Sequence, residues 1–387
     1  MGTAVRNPFE YGRELGLAEL VDRDDEKKQI DAAIRNRAKL FVIGPRRYGK
    51  TSLLSAAGEA AAARGVIVLR FDAETFESLE RLAAALLSGA TRALQGPLER
   101  TLALVGRVAA RLRPEMTIDR EGQPTVSFGV SSTEHGDLPL LTDTLDAIEA
   151  LATESDQEVV VILDEVQRIV IEHGLTAERQ LRSTVQGHSH VGYIFTGSAT
   201  RLLSEMTSEP NRPFYRLGAR LFLGPVPRPA FIPALEERFV DSGFPVEAGA
   251  CEYILDCAAD VPYNVQRLAY EVWEMLRGGE SAAVMSSSVD AALERVVRRE
   301  DVAYTQVWTH LRKNQRLTLK AVIDQGGEAM FRAEVARRAK TTTPSLQKAL
   351  EQLEQLDLVR QEAAVGKTRW VLVDPFFATW MKVAQEV

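Results

Sequence analysis

LFVIGPRRYGKTSLLSAAGEAAAA, residues 40–63, decides the fold. Leu40–Ile43 is a short apolar run suited to a buried strand, and Thr51–Ala63 is rich in strong helix formers. Between them GPRRYGKT, residues 44–51, is a full GxxxxGK[ST] match set between strand and helix, which is the context that motif requires. Glycines there let the backbone wrap a phosphate chain, with successive N–H groups and the helix N-terminus pointing at negative charge. The reading places Gly44, Pro45, Arg46, Arg47, Tyr48, Gly49, Lys50, Thr51 and Ser52 around a nucleoside triphosphate, expected to be ATP. Lys50 would neutralise the outer phosphates, and the Thr51 hydroxyl would ligate Mg²⁺.

Val66–Phe71 follows as a second strand, so the unit reads strand, loop, helix, strand. Such a crossover implies a parallel sheet covered by helices, an α/β P-loop core. Further on, VVVILDEVQ, residues 159–167, is an unbroken apolar strand ending in two carboxylates. Ligands bind at that carboxyl edge in open α/β sheets. Asp164 is the expected second metal ligand, and Glu165 the expected general base that polarises the attacking water. The plain alternative is an acidic strand end capping the next helix.

The rest of the chain bounds the interpretation. Its 387 residues exceed one ordinary core and imply two or three domains. A net charge of −7 argues against a non-specific nucleic-acid or membrane binder as a whole, while leaving room for a local basic patch. No apolar run approaches the roughly 20 residues of a membrane span, and the start lacks a secretory pattern, so a cytoplasmic location is expected. Cys251 and Cys257 offer neither a disulfide nor a metal site. His188 and His190 lack partner cysteines, which points to solvent or capping roles. Residues 96–137 are irregular and read as an insertion, with a small hairpin around Gly122. The Pro-rich segment 224–231 marks a boundary. The expected domains are an α/β core over 1–225, a helical lid over 226–312 and a winged helix-turn-helix over 313–387.

Taken together, the motifs resemble the AAA+ ATPases, and more closely the archaeal-type P-loop ATPases related to the STAND signalling ATPases. NPFEYG, VDRDDE, GPRRYGKTS, LDEVQ, FTGSATRLLSEM, RPFYRLG, LGPV, DVPYNVQRL and LVDPFFATW carry the resemblance in family order along almost the whole chain. It implies that Ser198 is a sensor residue feeling the γ-phosphate, against a helix N-cap as the plain reading. It also implies an arginine near the phosphates, Arg216, with Arg212 and Arg220 as neighbours that could take the role and a surface salt bridge as the alternative. Pro262 resembles the proline of the STAND-type GxP motif, although Asp260 holds the glycine position. Pro262 occupies the place where the resemblance would put a sensor arginine, and Arg267 lies five residues on. Asn7, Pro8 and Phe9 resemble the segment that lies by adenine, or form a simple N-terminal arm.

Residues 313–387 carry 12 Lys and Arg against 9 Asp and Glu, a net of +3. The expected recognition helix, TPSLQKALEQLEQ, is poor chemistry for phosphate or guanine contacts. Arg337, Arg338 and Lys340 form the better basic cluster, with Lys367 and Arg369 in the wing. Two functions stay open. One is an ATP-dependent, slowly hydrolysing switch whose winged helix meets protein, its own core or a homo-oligomeric partner; the other is a DNA-binding ATPase resembling origin-recognition initiators. No aromatic-Gly pore loop supports a motor unfoldase.

Overall fold

The computed structural model describes residues 6–16, 19–94, 112–118, 124–130, 138–198, 200–364 and 367–384. The chain divides into two compact units, Arg13–Val226 and the pair Met1–Gly12 with Pro227–Val387.

In Arg13–Val226, α1 (Asp24–Arg35) leads to β1 (Lys39–Ile43), the phosphate-loop sequence and α2 (Lys50–Ala62). Then come β2 (Ile67–Asp72), α3 (Leu79–Leu94), β3 (Leu112–Ile118), β4 (Pro124–Val130) and α4 (Leu138–Ser155). β5 (Val159–Asp164), α5 (Gln167–Gly187), β6 (Val191–Gly197), α6 (Thr200–Ser208) and β7 (Ala219–Phe222) complete it. The sheet is parallel throughout, in the order β2-β5-β6-β1-β7. That order sets β6 between β1 and β5, which decides the geometry of the site.

Every residue of β5 and β6 is buried, as expected of central strands covered on both faces. Alternation divides them: Val161, Leu163, Tyr193 and Phe195 join the core with α3 and α4, while Val160, Ile162 and Ile194 are equally buried on the opposite side. β3 and β4 pair as an antiparallel hairpin, matching the expected strand pair in the insertion. Gly122 itself and the rest of 96–137 lie outside the described residues.

The other unit carries α7 (Arg228–Asp241), α8 (Ala250–Cys257), α9 (Pro262–Arg277), α10 (Ser286–Arg299) and α11 (Asp301–His310). α12 (Lys313–Asp324), α13 (Ala333–Arg338) and α14 (Thr343–Gln355) follow, then the antiparallel pair β8 (Val359–Ala364) and β9 (Lys367–Leu372), and α15 (Pro375–Ala384). Three helices and a hairpin in this order form a winged helix. The Trp370 amide of β9 donates to the Gly327 carbonyl at 3.0 Å, tying the wing to the turn after α12. α15 closes the chain through aromatic packing, with Phe377 5.1 Å from Tyr304 and 5.6 Å from Trp380, centre to centre.

The N-terminal arm belongs to this second unit rather than to the α/β core expected over 1–225. Asn7 donates to the Tyr270 carbonyl at 3.2 Å and to Glu274 at 3.0 Å, and its own carbonyl oxygen accepts from the Phe9 amide. Phe9 is fully buried 4.4 Å from Phe239. Packing against α7 and α9 therefore outweighs sequence adjacency to the core.

His188 takes the capping rather than the solvent role: it is the C-cap residue of α5, its amide bonded to the Val185 carbonyl. Its side chain is buried, bonded through Nδ1 to the Tyr193 hydroxyl at 2.7 Å and through Nε2 to Asp146 at 2.9 Å. Nearby, Glu149 accepts the amides of Ser189, His190 and Val191 at the entry to β6. No cluster of metal-ligating side chains occurs among the described residues. Both cysteines are free, and burial pushes the Cys251 thiol up to about 12.

Candidate functional site

β1 delivers the chain into the loop 44–49, and each glycine of that loop has its own cause. A Cβ at Gly44 would stand 2.7 Å from the Leu223 carbonyl oxygen, because the strand end after β7 presses against it. Gly44 thus answers a close backbone approach rather than a phosphate. Gly49 has φ +84°, a left-handed conformation that starts α2, and the space where its Cβ would lie is open.

Lys50 is buried, and its Nζ donates to the carbonyls of Gly44 at 2.8 Å and Pro45 at 3.0 Å. The ammonium is therefore curled into its own loop, fixing the cradle around a positive charge. Thr51 follows in the first turn of α2. Ser52 does something else: its hydroxyl accepts from the Leu15 amide at 2.9 Å, tethering the preceding segment to the helix start. Tyr48 is buried, and its carbonyl faces Arg23, whose guanidinium also donates to the Gly224 carbonyl at 2.7 Å. Arg23 braces the loop from below. The sequence reading assigned it no role, although VDRDDE was among the segments quoted.

At the carboxyl end of β5, Asp164 is buried and Glu165 takes φ +51°. Burial, then the neighbouring Glu165 charge, raises the Asp164 carboxyl; the Glu165 amide and Lys50 oppose this. The turn sends the Glu165 carboxylate sideways to the next strand. One of its oxygens accepts from the Ser198 amide at 3.1 Å, from the Ser198 hydroxyl at 2.9 Å and from the Gln167 amide group. Arg46 donates to the same Ser198 hydroxyl at 3.3 Å and holds Glu74 with two bonds at 3.0 and 3.1 Å. Ser198 at the tip of β6 thereby links the phosphate loop to the acidic strand end. Gln167 and Glu74 escaped the sequence reading because their roles follow from strand order, which a single sequence does not display.

The three arginines separate clearly. Arg212 lies 2.6 Å from Glu178, a fully buried carboxylate on α5 that also accepts the Phe214 amide. Arg182 donates to the Pro213 and Tyr215 carbonyls, and Phe214 inserts against Phe41 at 5.4 Å. Arg216, at φ +55°, projects from this clamped loop, exposed and stacked over Tyr215 at 5.0 Å. Arg220 sits exposed on edge strand β7.

In the other unit, Pro262 opens α9 at its first position, a normal helix-start role. Asp260 takes φ +56°, the conformation glycine favours, and its carboxylate holds Arg228 at 2.7 and 3.0 Å. At the glycine position of GxP this chain thus places Asp260 on a backbone shape that glycine favours. Arg267 is committed to Glu300 and the Phe376 ring.

Thr51 and Asp164 present hard oxygen donors of the kind Mg²⁺ takes, and the Lys50 cradle suits a phosphate chain. The residues present therefore fit a magnesium nucleotide.

Residues 34–204, which fall within the Arg13–Val226 unit, match the family model described as an AAA domain. No curated protein matches the chain. Among solved structures, a Walker-type ATPase of Pyrococcus abyssi is similar over 97% of this chain and 99% of its own, at 17% identity and a TM-score of 0.64. The ORC2 protein of Aeropyrum pernix, with ADPNP and ADP, is similar over 98% of this chain and 97% of its own, at 18% identity and a TM-score of 0.56. The A. pernix ORC1 protein in complex with DNA gives 14% identity and a TM-score of 0.50 over 97% and 96%. These likenesses show the fold.

Proposed function

We propose that this protein binds ATP with Mg²⁺, hydrolyses it slowly, and uses the nucleotide state as a STAND-like switch over its helical and winged-helix parts. The observation that carries the reading is Ser198, bonded at once to Glu165 and to Arg46 of the phosphate loop. A polar group at the tip of the strand between β1 and β5 is where the two motifs can report on each other.

Lys50 neutralises the phosphate charge, and Arg216 supplies a second positive charge from its clamped loop. Glu165 accepts the proton of the attacking water. Thr51 and Asp164 hold the magnesium ion, which offsets charge on the phosphate oxygens. All three donors sit on one oxygen of Glu165, which leaves the other to engage water. ATP can shift the switch only by its differential affinity for the two arrangements. Limited proteolysis with ATP, ADP or no nucleotide tests this. Distinct cleavage patterns for ATP and ADP are expected, and one pattern in all three states would refute a switch.

A DNA-binding ATPase is the second reading. In its favour, Arg337, Arg338 and Lys340 are exposed and make no ion pair among the described residues. Against it, the exposed face of α14 is close to neutral, with Lys348 beside Glu351 and Gln347 bonded to that same Glu351.

A further inference from the structure

Between α11 and α12 lies a groove of about 350 Å³ whose floor is Trp308, Leu311 and Leu317 and whose rim is Lys313, Arg316 and Lys320. The segment His310–Lys320 holds Arg312, Lys313, Arg316, Lys320 and a histidine, and no carboxylate. In a chain of net charge −7 this is a concentrated positive stretch.

The rim is built rather than incidental. Arg316 Cζ stands 5.4 Å, and Lys320 Nζ 6.0 Å, from the centre of the Trp308 ring, so one indole carries two cations. Two like charges on one ring repel, and an anion between them removes that cost. Arg316 is fixed further by donating to the Thr309 carbonyl at 2.8 Å, which leaves its guanidinium pre-oriented. Neither Lys313 nor Arg316 forms an ion pair among the described residues. Positions 313, 316 and 320 share one helix face and span about 10 Å along its axis, given 1.5 Å per residue.

We propose that this α11–α12 groove binds the phosphate backbone of nucleic acid without reading its sequence, with Lys313, Arg316 and Lys320 as the phosphate ligands. The proposal rests on the reading that the winged-helix part meets nucleic acid, and it moves the main grip from α14 and the wing to the opposite end of the motif's first helix. Phosphate is favoured over an acidic protein segment by two observations. From Lys313 to Lys320 the row of cations is uninterrupted by acid, as a repeating backbone requires, and the first carboxylate of the helix is Asp324 at its end. The nearly neutral α14 cannot supply that grip itself. Base stacking is not part of the site, because Trp308 is only 7% exposed and its ring is covered by the two cations.

The test uses the intact protein and a fluorescein-labelled duplex, with anisotropy read between about 50 and 200 mM salt. Each lost phosphate contact lowers the slope of log K against log salt by about 0.9. Lys313→Gln is exposed and leaves the Trp308 contacts intact; it is expected to lower the slope by about 1. The combined Lys313→Gln, Arg316→Gln, Lys320→Gln variant is expected to lower it by about 2 to 3, equally on a scrambled duplex. Its melting temperature is compared with wild type to establish folding. If both variants keep the wild-type slope while Arg337→Gln, Arg338→Gln loses binding, the groove proposal falls and the nucleic-acid reading stands. If wild type binds no duplex at the lowest salt, both fall, and binding of poly-glutamate would then point to an acidic protein partner.

Discussion

The two units use similar-looking motif residues in opposite ways. In Arg13–Val226 the motif side chains converge: Lys50 curls into the phosphate loop, while Arg46, Ser198 and Glu165 form one hydrogen-bonded chain across three strand ends. In the C-terminal unit the corresponding residues are spent on packing. Asn7 serves the α9 backbone, Glu274 and the Phe9 amide, Arg267 serves Glu300, and Asp260 serves Arg228. The difference teaches that a family motif marks a backbone position first and a chemical role second. Only where strands converge on one edge do the two coincide.

The largest expected effect that sharpens this contrast is Lys50→Ala. Removing the buried ammonium should weaken nucleotide binding by about two orders of magnitude, measured with a fluorescent ATP analogue, because a charged partner is lost in a desolvated site. Arg267→Ala, by contrast, should leave that affinity unchanged.

A second effect breaks the arginines apart. Arg212→Ala strands the buried Glu178 carboxylate and should cost about 3 kcal/mol of stability in urea unfolding. Arg216→Ala should leave unfolding unchanged and lower phosphate release. The reverse pattern would place the functional arginine at 212.

Acid sensitivity is smaller and belongs to the far end of the sheet. Burial raises the Glu149 carboxyl, but the amides of Ser189, His190 and Val191, together with His188, outweigh this and hold it below its ordinary 4.5. A depressed folded value means the stabilisation is present above pH 4.5 and is lost as pH falls through the lower folded value. Glu149→Gln should therefore flatten the stability profile below about pH 4.5.

The smallest effect is at the altered GxP position. Asp260→Gly loses a partly exposed pair with Arg228 and gains a residue suited to φ +56°, so stability should stay within about 1 kcal/mol.

Much of the α/β unit was legible because its signals are local. The GxxxxGK[ST] spacing, the apolar run 159–163 and the paired Asp164 and Glu165 each sit within a few residues. β7 was not recognised, since ARLF is a short edge strand with three of four residues exposed. α15 was quoted only as the family segment LVDPFFATW, without a helix assigned, its apolar face being legible only against Tyr304 and Trp308. Glu178 and Arg23 are invisible in sequence for the same reason: a buried charge declares itself only through its partner. The cationic run 310–320 is local in sequence, but its convergence on Trp308 shows only in the fold.

The central claim concerns Glu165, and steady-state phosphate release from ATP tests it most directly, comparing wild type, Glu165→Gln and Lys50→Ala. The account predicts slow release by wild type, at least about 100-fold less by Glu165→Gln with ATP binding retained, and no release by Lys50→Ala. Undiminished release by Glu165→Gln would contradict it and assign the water's proton to another group.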